Sequence, residues 1–425
     1  MYKRKFRLLA VATASMAFLL SSARAATAGS SGGSLSPHVK LKLTNFEAAS
    51  VVIGQTNFSG GTENQGMTNP TASTISGAFG SAAIGPTGVL YLSDYNNQRI
   101  LGFKSIPTSN DPEADFVLGQ PNLTTAGKGD QANQFGGPQA LAVYKNMLFA
   151  SDFSDDRVLI WKVAPTSDDV PADIVLGQAS FGQSNASCSP SGMSAPETIS
   201  VGGGKLVVAD SSNSRVLIYK KIPTKNGQAP DIVLGQGNLK TCVALNNGKG
   251  SAGSANAMNF SYPAGVWTDG KRLVVTDEDE NRVLIWKKFP TKNFQKADIV
   301  LGQPNFTSAV VNNNGSGSEG APSPRNLSAP YDGVFSNGTQ LFVDDQMNQR
   351  ILVWAKFPTK NFKPADFVLG QPNFACAARD STGTSCARGL PSAQNFDNST
   401  GIFQVSNQLI VNDGGNSRYL IFDGQ

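Results

Sequence analysis

Short apolar runs separated by polar turns set the pattern of this chain. One run ends in an Asp, a polar turn follows, and a second run opens on an Arg and closes on an aromatic residue. The pattern reads LYLSDYNNQRILGF at Leu90–Phe103, LFASDFSDDRVLIW at Leu148–Trp161 and LVVADSSNSRVLIY at Leu206–Tyr219. It returns as LVVTDEDENRVLIW at Leu273–Trp286, LFVDDQMNQRILVW at Leu341–Trp354 and LIVNDGGNSRYLIF at Leu409–Phe422. In all six copies the Arg follows the Asp by five residues and the aromatic follows the Arg by four. Runs of this length, rich in Val, Ile, Leu and aromatics and bounded by Gly, Asn, Asp and Pro, predict β-strands. Because both faces of each run are apolar, the sheets are expected to be covered on both sides.

A second signal lies between these units. It reads ADFVLGQ at Ala114–Gln120, ADIVLGQ at Ala172–Gln178 and APDIVLGQ at Ala229–Gln236, then ADIVLGQ at Ala297–Gln303 and ADFVLGQ at Ala365–Gln371. A degenerate copy, SVVIGQ, sits ahead of all the others at Ser50–Gln55. Each unit therefore holds four strands. Strand a follows a Pro or Gly, as in ALAVY at Ala140–Tyr144; b ends in the Asp, c begins at the Arg, and d is the VLGQ segment. Repetition at this scale predicts an all-β fold, a six-bladed β-propeller of four-stranded antiparallel blades. The N-terminus supplies an orphan d strand and the C-terminus stops after a c strand. The N-terminal strand is thus expected to complete the last blade, closing the ring and removing two exposed edges.

The Asp-to-Arg turn resembles the NHL-repeat family, whose units carry an Asp-x-x-Asn-x-Arg-[Ile/Val] core between strands b and c. Asn97, Asn213, Asn281, Asn348 and Asn416 are assigned to the Asn position in five blades, and Asp156 takes a nearby position in the second. The resemblance covers about residues 50–425 and implies architecture rather than activity, since such propellers serve many functions. The VLGQ and Pro-Thr elements and the long inter-blade loops depart from the family pattern. Among enzymatic propellers, amidating and streptogramin-type lyases depend on His residues, and the single His38 lies ahead of the repeats. Gluconolactonase-like propellers hold a divalent metal with Glu, Asn and Asp facing the channel, a set that only Glu197 and Asp332 suggest here.

Three further features change the picture. Met1–Ala25 has a basic start (Lys3, Arg4, Lys5, Arg7), an apolar run over Leu8–Leu20 and small residues at Ala23 and Ala25, the pattern of a secretory signal peptide. Residues 26–49 read as a flexible leader, leaving 50–425 for the propeller. The signal segment carries five positive residues and no acid, more than the whole formal net charge of +4. The remainder is slightly acidic, which removes the global support for nucleic-acid binding. Cys188, Cys242, Cys376 and Cys386 form an even set in a chain expected to be exported. Three pairings are open in principle, and Cys188–Cys242 with Cys376–Cys386 is the expected one. The expected protein is extracytoplasmic, secreted or periplasmic, monomeric, and without a transmembrane segment after signal cleavage.

Candidate chemistry divides between the repeated and the variable positions. The repeated pairs are Asp94/Arg99, Asp152/Arg157, Asp210/Arg215, Asp277/Arg282, Asp345/Arg350 and Asp413/Arg418. They are read as structural ties between a b–c turn and its neighbour blade, because a residue needed in every blade is needed for the blade. Function is expected where the repeat varies. The long d–a loops, which contain all four Cys, share a face with the b–c turns. Thirteen residues before each repeated Asp come Ser81, Gln139, Glu197, Ala264, Asp332 and Thr400, a ring of equivalent positions expected at the channel mouth. Ser81, Gln139, Glu197, Asp332 and Thr400 are the candidate ligand-binding residues. Glu197 and Asp332 are also candidates to hold a divalent cation such as calcium or to do acid–base work; no other cofactor is indicated. On the opposite face, blades three to five carry Lys220, Lys221, Lys225, Lys287, Lys288, Lys292, Lys296, Lys356, Lys360 and Lys363, while blades one and two carry Asp111, Glu113, Asp168 and Asp169. The expected function is a binding or interaction module for a protein, peptide or glycan, with a metal-assisted hydrolase or lyase as the rival.

Overall fold

The computed structural model describes residues 39–383 and 386–424. The expected signal peptide, the leader up to residue 38 and His38 lie outside the described residues. The described chain is a ring of six sheets, each of four antiparallel strands. The second blade shows the pattern: Pro138–Tyr144, Met147–Asp152, Arg157–Trp161 and Ile174–Leu176 pair in chain order. The repeated Asp and Arg stand directly opposite each other on strands b and c in all six blades. The last blade contains Ser399–Val405, Gln408–Asp413 and Arg418–Asp423, and its outer strand is Val51–Ile53 from the other end of the chain. Val52 pairs with Leu420 there.

The core lies between the blades, in six apolar clusters. Each joins facing surfaces of neighbouring sheets; one contains Tyr91 and Phe116 of blade one together with Leu148 and Trp161 of blade two. The c-strand aromatics are fully buried in these seams. Three of them, Trp161, Trp286 and Trp354, also donate their indole N–H to the carbonyls of Val170, Gln295 and Lys363. The Gly of VLGQ adopts a φ near +85°, for example +88° at Gly119 and +84° at Gly302, where a side chain would be strained. That turn aims the Gln inward, and its role goes beyond ending strand d. Its amide donates both to the carbonyl that ends the b–c turn and to a carbonyl in the following loop, as Gln303 does to Asn281 and Val310.

The N-terminal closure is larger than the sequence reading expected. Residues 39–49, assigned to a flexible leader, pack against blades five and six, with Leu41, Leu43 and Ala49 buried in the seam. The reason is a repeated tie between blades. The middle amide of each d strand donates to a side-chain oxygen in the c–d connection of the next blade. Val117 donates to Asp168, Val175 to Asn226, Val233 to Asn293 and Val300 to Asn361. Around the join, Val368 donates to Asn45 and Val52 to Asn110. Residues 44–46 thus stand in for the c–d connection that blade six lacks at the C-terminal end. The described ends meet beside the a–b turn of that blade, where Gln404 donates to the Val39 carbonyl and Gly424 to that of Asn407.

A second correction concerns the turn. Asn97, Asn213, Asn348 and Asn416 donate to the repeated Asp three residues earlier. Asn281 stands four residues after its Asp and does not; it accepts from the amide of Ala329 in the next blade, as Asp156 does from Ala195. The Asn place of the turn is filled by Asp155 in blade two and Glu280 in blade four.

A third correction concerns what the repeated Arg residues join. Arg99, Arg157, Arg215, Arg282, Arg350 and Arg418 are all 0% exposed and ion-paired to the Asp opposite. Their remaining N–H groups reach the loops beside their own blade rather than the neighbour blade that the sequence reading expected: five of the six hold both the entering and the leaving loop, and Arg157 holds the entering loop alone, at Asp130 and Gln134. Arg99 gives Nε to Asp94 at 2.6 Å, Nη1 to the Leu123 carbonyl, and Nη2 to those of Thr71 and Thr74. Arg350 repeats the arrangement, giving Nε to Asp345 at 2.7 Å, Nη1 to the Phe374 carbonyl, and Nη2 to those of Ser323 and Asn326. The cause is the flat fork of the guanidinium: once Nε faces the Asp, its outer N–H groups point off the sheet end into the loops. The link between blades falls instead to the d-strand amides described above.

Asn45→Ala should cost about 1–3 kcal/mol in urea unfolding, the penalty for leaving the Val368 amide unpaired. Removal of residues up to Gln55 should abolish the cooperative transition altogether, because blade six then loses its outer strand and its tie to blade five.

Candidate functional site

The residue just before each repeated Asp faces the start of the next blade and stitches the ring together. Ser93 Oγ donates to the Pro138 carbonyl, Ser151 Oγ to that of Glu197 at 2.7 Å, and Thr276 Oγ1 to that of Tyr331 at 2.8 Å. Asn412 donates to Gly80 at 3.2 Å. Blade three has Ala209 at this place, and Ser211 two residues on donates to the Pro263 carbonyl instead. These bonds fix the a-strand starts from which the candidate residues project.

From that frame three of the candidate residues converge. Gln139 Nε2 donates to Asp332 Oδ2 at 2.5 Å, and Asp332 and Glu197 lie close enough for each carboxyl group to act on the titration of the other. Glu197 Oε1 also accepts from Tyr262 Oη at 2.7 Å and from Tyr331 Oη at 2.9 Å. Glu197 is 0% exposed and Asp332 4%. Gln139 belongs to blade two and Asp332 to blade five, opposite places in a ring of six, so their bond crosses the axis. The expected channel mouth is closed at this level by side chains. Ala264 and Thr400 are buried around it, and Thr400 Oγ1 has no hydrogen-bond partner among the described residues. Ser81 is not part of the convergence; its hydroxyl donates to the Leu141 carbonyl.

The electrostatics are unusual because no cation accompanies the acids. Burial, and then the charge of Glu197, push Asp332 well above the ordinary aspartate range. Burial pushes Glu197 up to about 7, against the opposing effect of the bonds from Tyr262 and Tyr331. Glu278 on the blade-four turn is pushed up to about 8 by burial and by the charge of Glu197. Two neighbouring buried carboxyl groups disfavour each other's ionisation, so protonation is favoured at this point. Glu197 Oε2 and Asp332 Oδ1 have no hydrogen-bond partner among the described residues. Blade five holds one more such group, Asp344, which accepts from Ser399 Oγ at 2.5 Å and is raised by burial.

The sequence reading missed Tyr262, Tyr331 and Asp344. Asp344 was visible as the one acid at a place held elsewhere by Ser93, Ser151, Ala209, Thr276 and Asn412. The two tyrosines flank the ring positions, one residue before Pro263 and one before Asp332, but nothing local marks them as partners of Glu197. Among the described residues, no group of three or more His, Cys, Asp or Glu is placed to hold a metal ion. Glu197 and Asp332 alone offer carboxylate oxygens for a cation at this point.

The long loops around this site are held firmly by the buried Arg residues. Arg282 reaches the carbonyls of Asn256 and Phe306 through Nη1 and that of Asn259 through Nη2. Arg418 does the same in blade six, at Phe58, Ser392 and Asn395, while Arg157 holds the loop entering blade two at Gln134. Disulfides Cys188–Cys242 and Cys376–Cys386 form as expected. The first joins two successive d–a loops across 54 residues, a closure worth about 4 kcal/mol in the chain-entropy account. On the opposite face the lysines of blades three to five are exposed, except half-buried Lys363. Among the described residues, no helix is long and apolar enough to cross a membrane.

Comparison with models of protein families and with curated proteins finds no match to this chain. Among solved structures, the WD40 β-propeller domain of Doa1 is similar over 91% of this chain and 96% of its own, at 11% identity and a TM-score of 0.44. A likeness at that level carries no argument about ligand or family, and the propeller assignment stands on the strands themselves.

The acid pair gives stability a definite pH dependence. The unfolded Glu197 titrates near 4.5 and the folded one at about 7, so its contribution is fully present below pH 4.5 and is lost as pH rises through 7. Glu197→Gln can donate to Asp332 without titrating. Its melting temperature should match the parent at about pH 4.5 and exceed it by roughly 5 °C at about pH 8.5. An unchanged difference across that range would show that Glu197 is already ionised in the fold.

Proposed function

We propose that this chain is an exported, NHL-like propeller acting as a binding module, with its ligand over the long-loop face. The ligand would rest on the floor formed by Ser81, Gln139, Glu197, Asp332 and Thr400. One observation carries this reading: Glu197 and Asp332 are buried together with no Lys or Arg paired to them among the described residues, and Gln139 reaches Asp332 across the axis. Burying such a pair is costly, and the ring is already closed by strand pairing and by the Arg–Asp ties, so structure alone gives it no purpose. The firmly held loops around it suit recognition, because little ordering is left to be done on binding. Export is supported by the signal-like start and by two disulfides, which persist in oxidising compartments. The partner is a protein, peptide or glycan.

A second reading, a hydrolase or lyase, is favoured by one feature: two buried carboxyl groups that act on each other's charge, with Glu197 pushed up to about 7, are suited to general acid–base work. Metal analysis separates it from the first. Stoichiometric Ca²⁺ or Zn²⁺ in the purified chain that disappears in Glu197→Gln would favour the enzyme.

The binding reading is checked on glycan and peptide arrays. A ligand class retained by the parent chain should bind at least tenfold more weakly to Asp332→Asn. Hits that bind the parent and Asp332→Asn equally would remove the channel floor from the site.

A further inference from the structure

The b–c turns crown the loop face around the axis, and in five blades they carry side chains: Tyr95-Asn96, Phe153-Ser154, Ser211-Ser212, Glu278-Asp279 and Gln346-Met347. Blade six has Gly414-Gly415 instead. Both glycines are enforced by close approach. A Cβ on Gly414 would meet the Ala78 carbonyl oxygen at 2.5 Å, and one on Gly415 the Asp397 carboxyl carbon at 2.7 Å. The crown therefore has a notch, and a half-open cavity of about 330 Å³ lies there, lined from blades five, six and one.

Its chemistry is selective. The lining includes Phe79, Glu63, Asn96, Gln346 and Asn398, and no Lys, Arg or His. Among the described residues the side-chain amides of Asn96 and Gln346 make no hydrogen bond; Asn398 uses its Oδ1 to accept from Gln349 Nε2 at 3.3 Å, leaving its Nδ2 to the cavity. Glu63 is steadied by Ser76 Oγ, which donates to its Oε2 at 2.9 Å. Asn96 lies close over Gly77, where a Cβ would meet its Nδ2 at 2.5 Å. Phe79 is edge-on to Tyr95, with ring centroids 5.1 Å apart.

We propose that this notch binds the end of a neutral oligosaccharide. Each primary amide offers a donor and an acceptor side by side, which matches a pair of neighbouring hydroxyl groups. The Glu63 carboxylate is a strong acceptor for a hydroxyl, and an aromatic ring supplies the apolar surface that the C–H face of a sugar needs. The volume sits at the low end for small-ligand sites, about 300–1,000 Å³, which suits a chain end rather than a folded partner. The absence of a cation in the lining disfavours anionic sugars. A peptide is a poorer fit: the cavity offers neither an unpaired strand edge nor an apolar side-chain pocket. The proposal rests on the reading of the loop face as the ligand face, but on different residues from the channel floor.

The test is saturation-transfer NMR and titration calorimetry on the full-length chain with maltotriose, cellotriose and chitotriose. Trigalacturonate serves as the anionic probe and an acetylated tripeptide amide as the peptide probe. At least one neutral trisaccharide should bind, at least tenfold more weakly to Asn96→Ala/Gln346→Ala and unchanged in Lys288→Ala on the opposite face. Both replaced residues make no side-chain bond within the fold, so the variant should melt with the parent; Phe79→Leu gives a second variant with the same expected loss. No binding by the three neutral sugars overturns the proposal, as does preference for trigalacturonate or the peptide. Binding lost in Asp332→Asn but kept in Asn96→Ala/Gln346→Ala would also overturn it, while leaving the channel-floor reading standing.

Discussion

The fold depends on a guanidinium group buried in every blade. An arginine side chain with no exposure to solvent is costly to place, and its pairing with one carboxylate does not by itself offset the loss of water. The remainder comes from the loop. Arg215 gives Nε to Asp210, Nη1 to the Leu239 carbonyl and Nη2 to those of Ser189 and Gly192. The same head therefore joins strand b to strand c and anchors the loops entering and leaving the blade, as Arg99 and Arg350 do in theirs. These anchors are main-chain carbonyls. Loop side chains are left out of the tie, so the loops can differ in sequence and length from blade to blade while remaining held.

Much of this was legible because it is periodic. The Asp–Arg interval, the c-strand aromatics and the VLGQ endings identify strands, register and blade number, and the orphan Ser50–Gln55 identifies the closure. What escaped was either masked by composition or not local. Residues 44–46 match the last residues of Thr291–Phe294 in Asn and Phe, but without the preceding Pro and with Ser50 in place of the usual Asp they resembled a leader. In blade four the run Asp277–Glu280 displaces Asn281 by one place, which changes its partner from the Asp of its own turn to the next blade. The partners of the repeated Arg escaped for another reason: they are carbonyls, which every residue carries, so no side chain marks Leu123 or Phe374 as an acceptor. The convergence at Glu197 is not local either. Equivalent positions can be counted along a sequence, but whether a Gln from blade two reaches an Asp from blade five depends on the width of the ring.

That crossing changes how the axis should be regarded. A propeller channel lined by small residues is a bore; here Gln139, Glu197, Asp332 and the tyrosines close it with a hydrogen-bonded bridge. The buried acids lie towards the loop face, and the lysines of blades three to five lie on the other.

The closure at blade six has a consequence for how the molecule can be mounted. Val39 and Gly424 come to rest against the a–b turn of that blade, on the side away from the notch and the long loops. A tether or fused domain joined directly at Val39 or Gly424 would thus depart from the back of the disc. Attachment at those two residues leaves the opposite side unobstructed and presents the loop face outward.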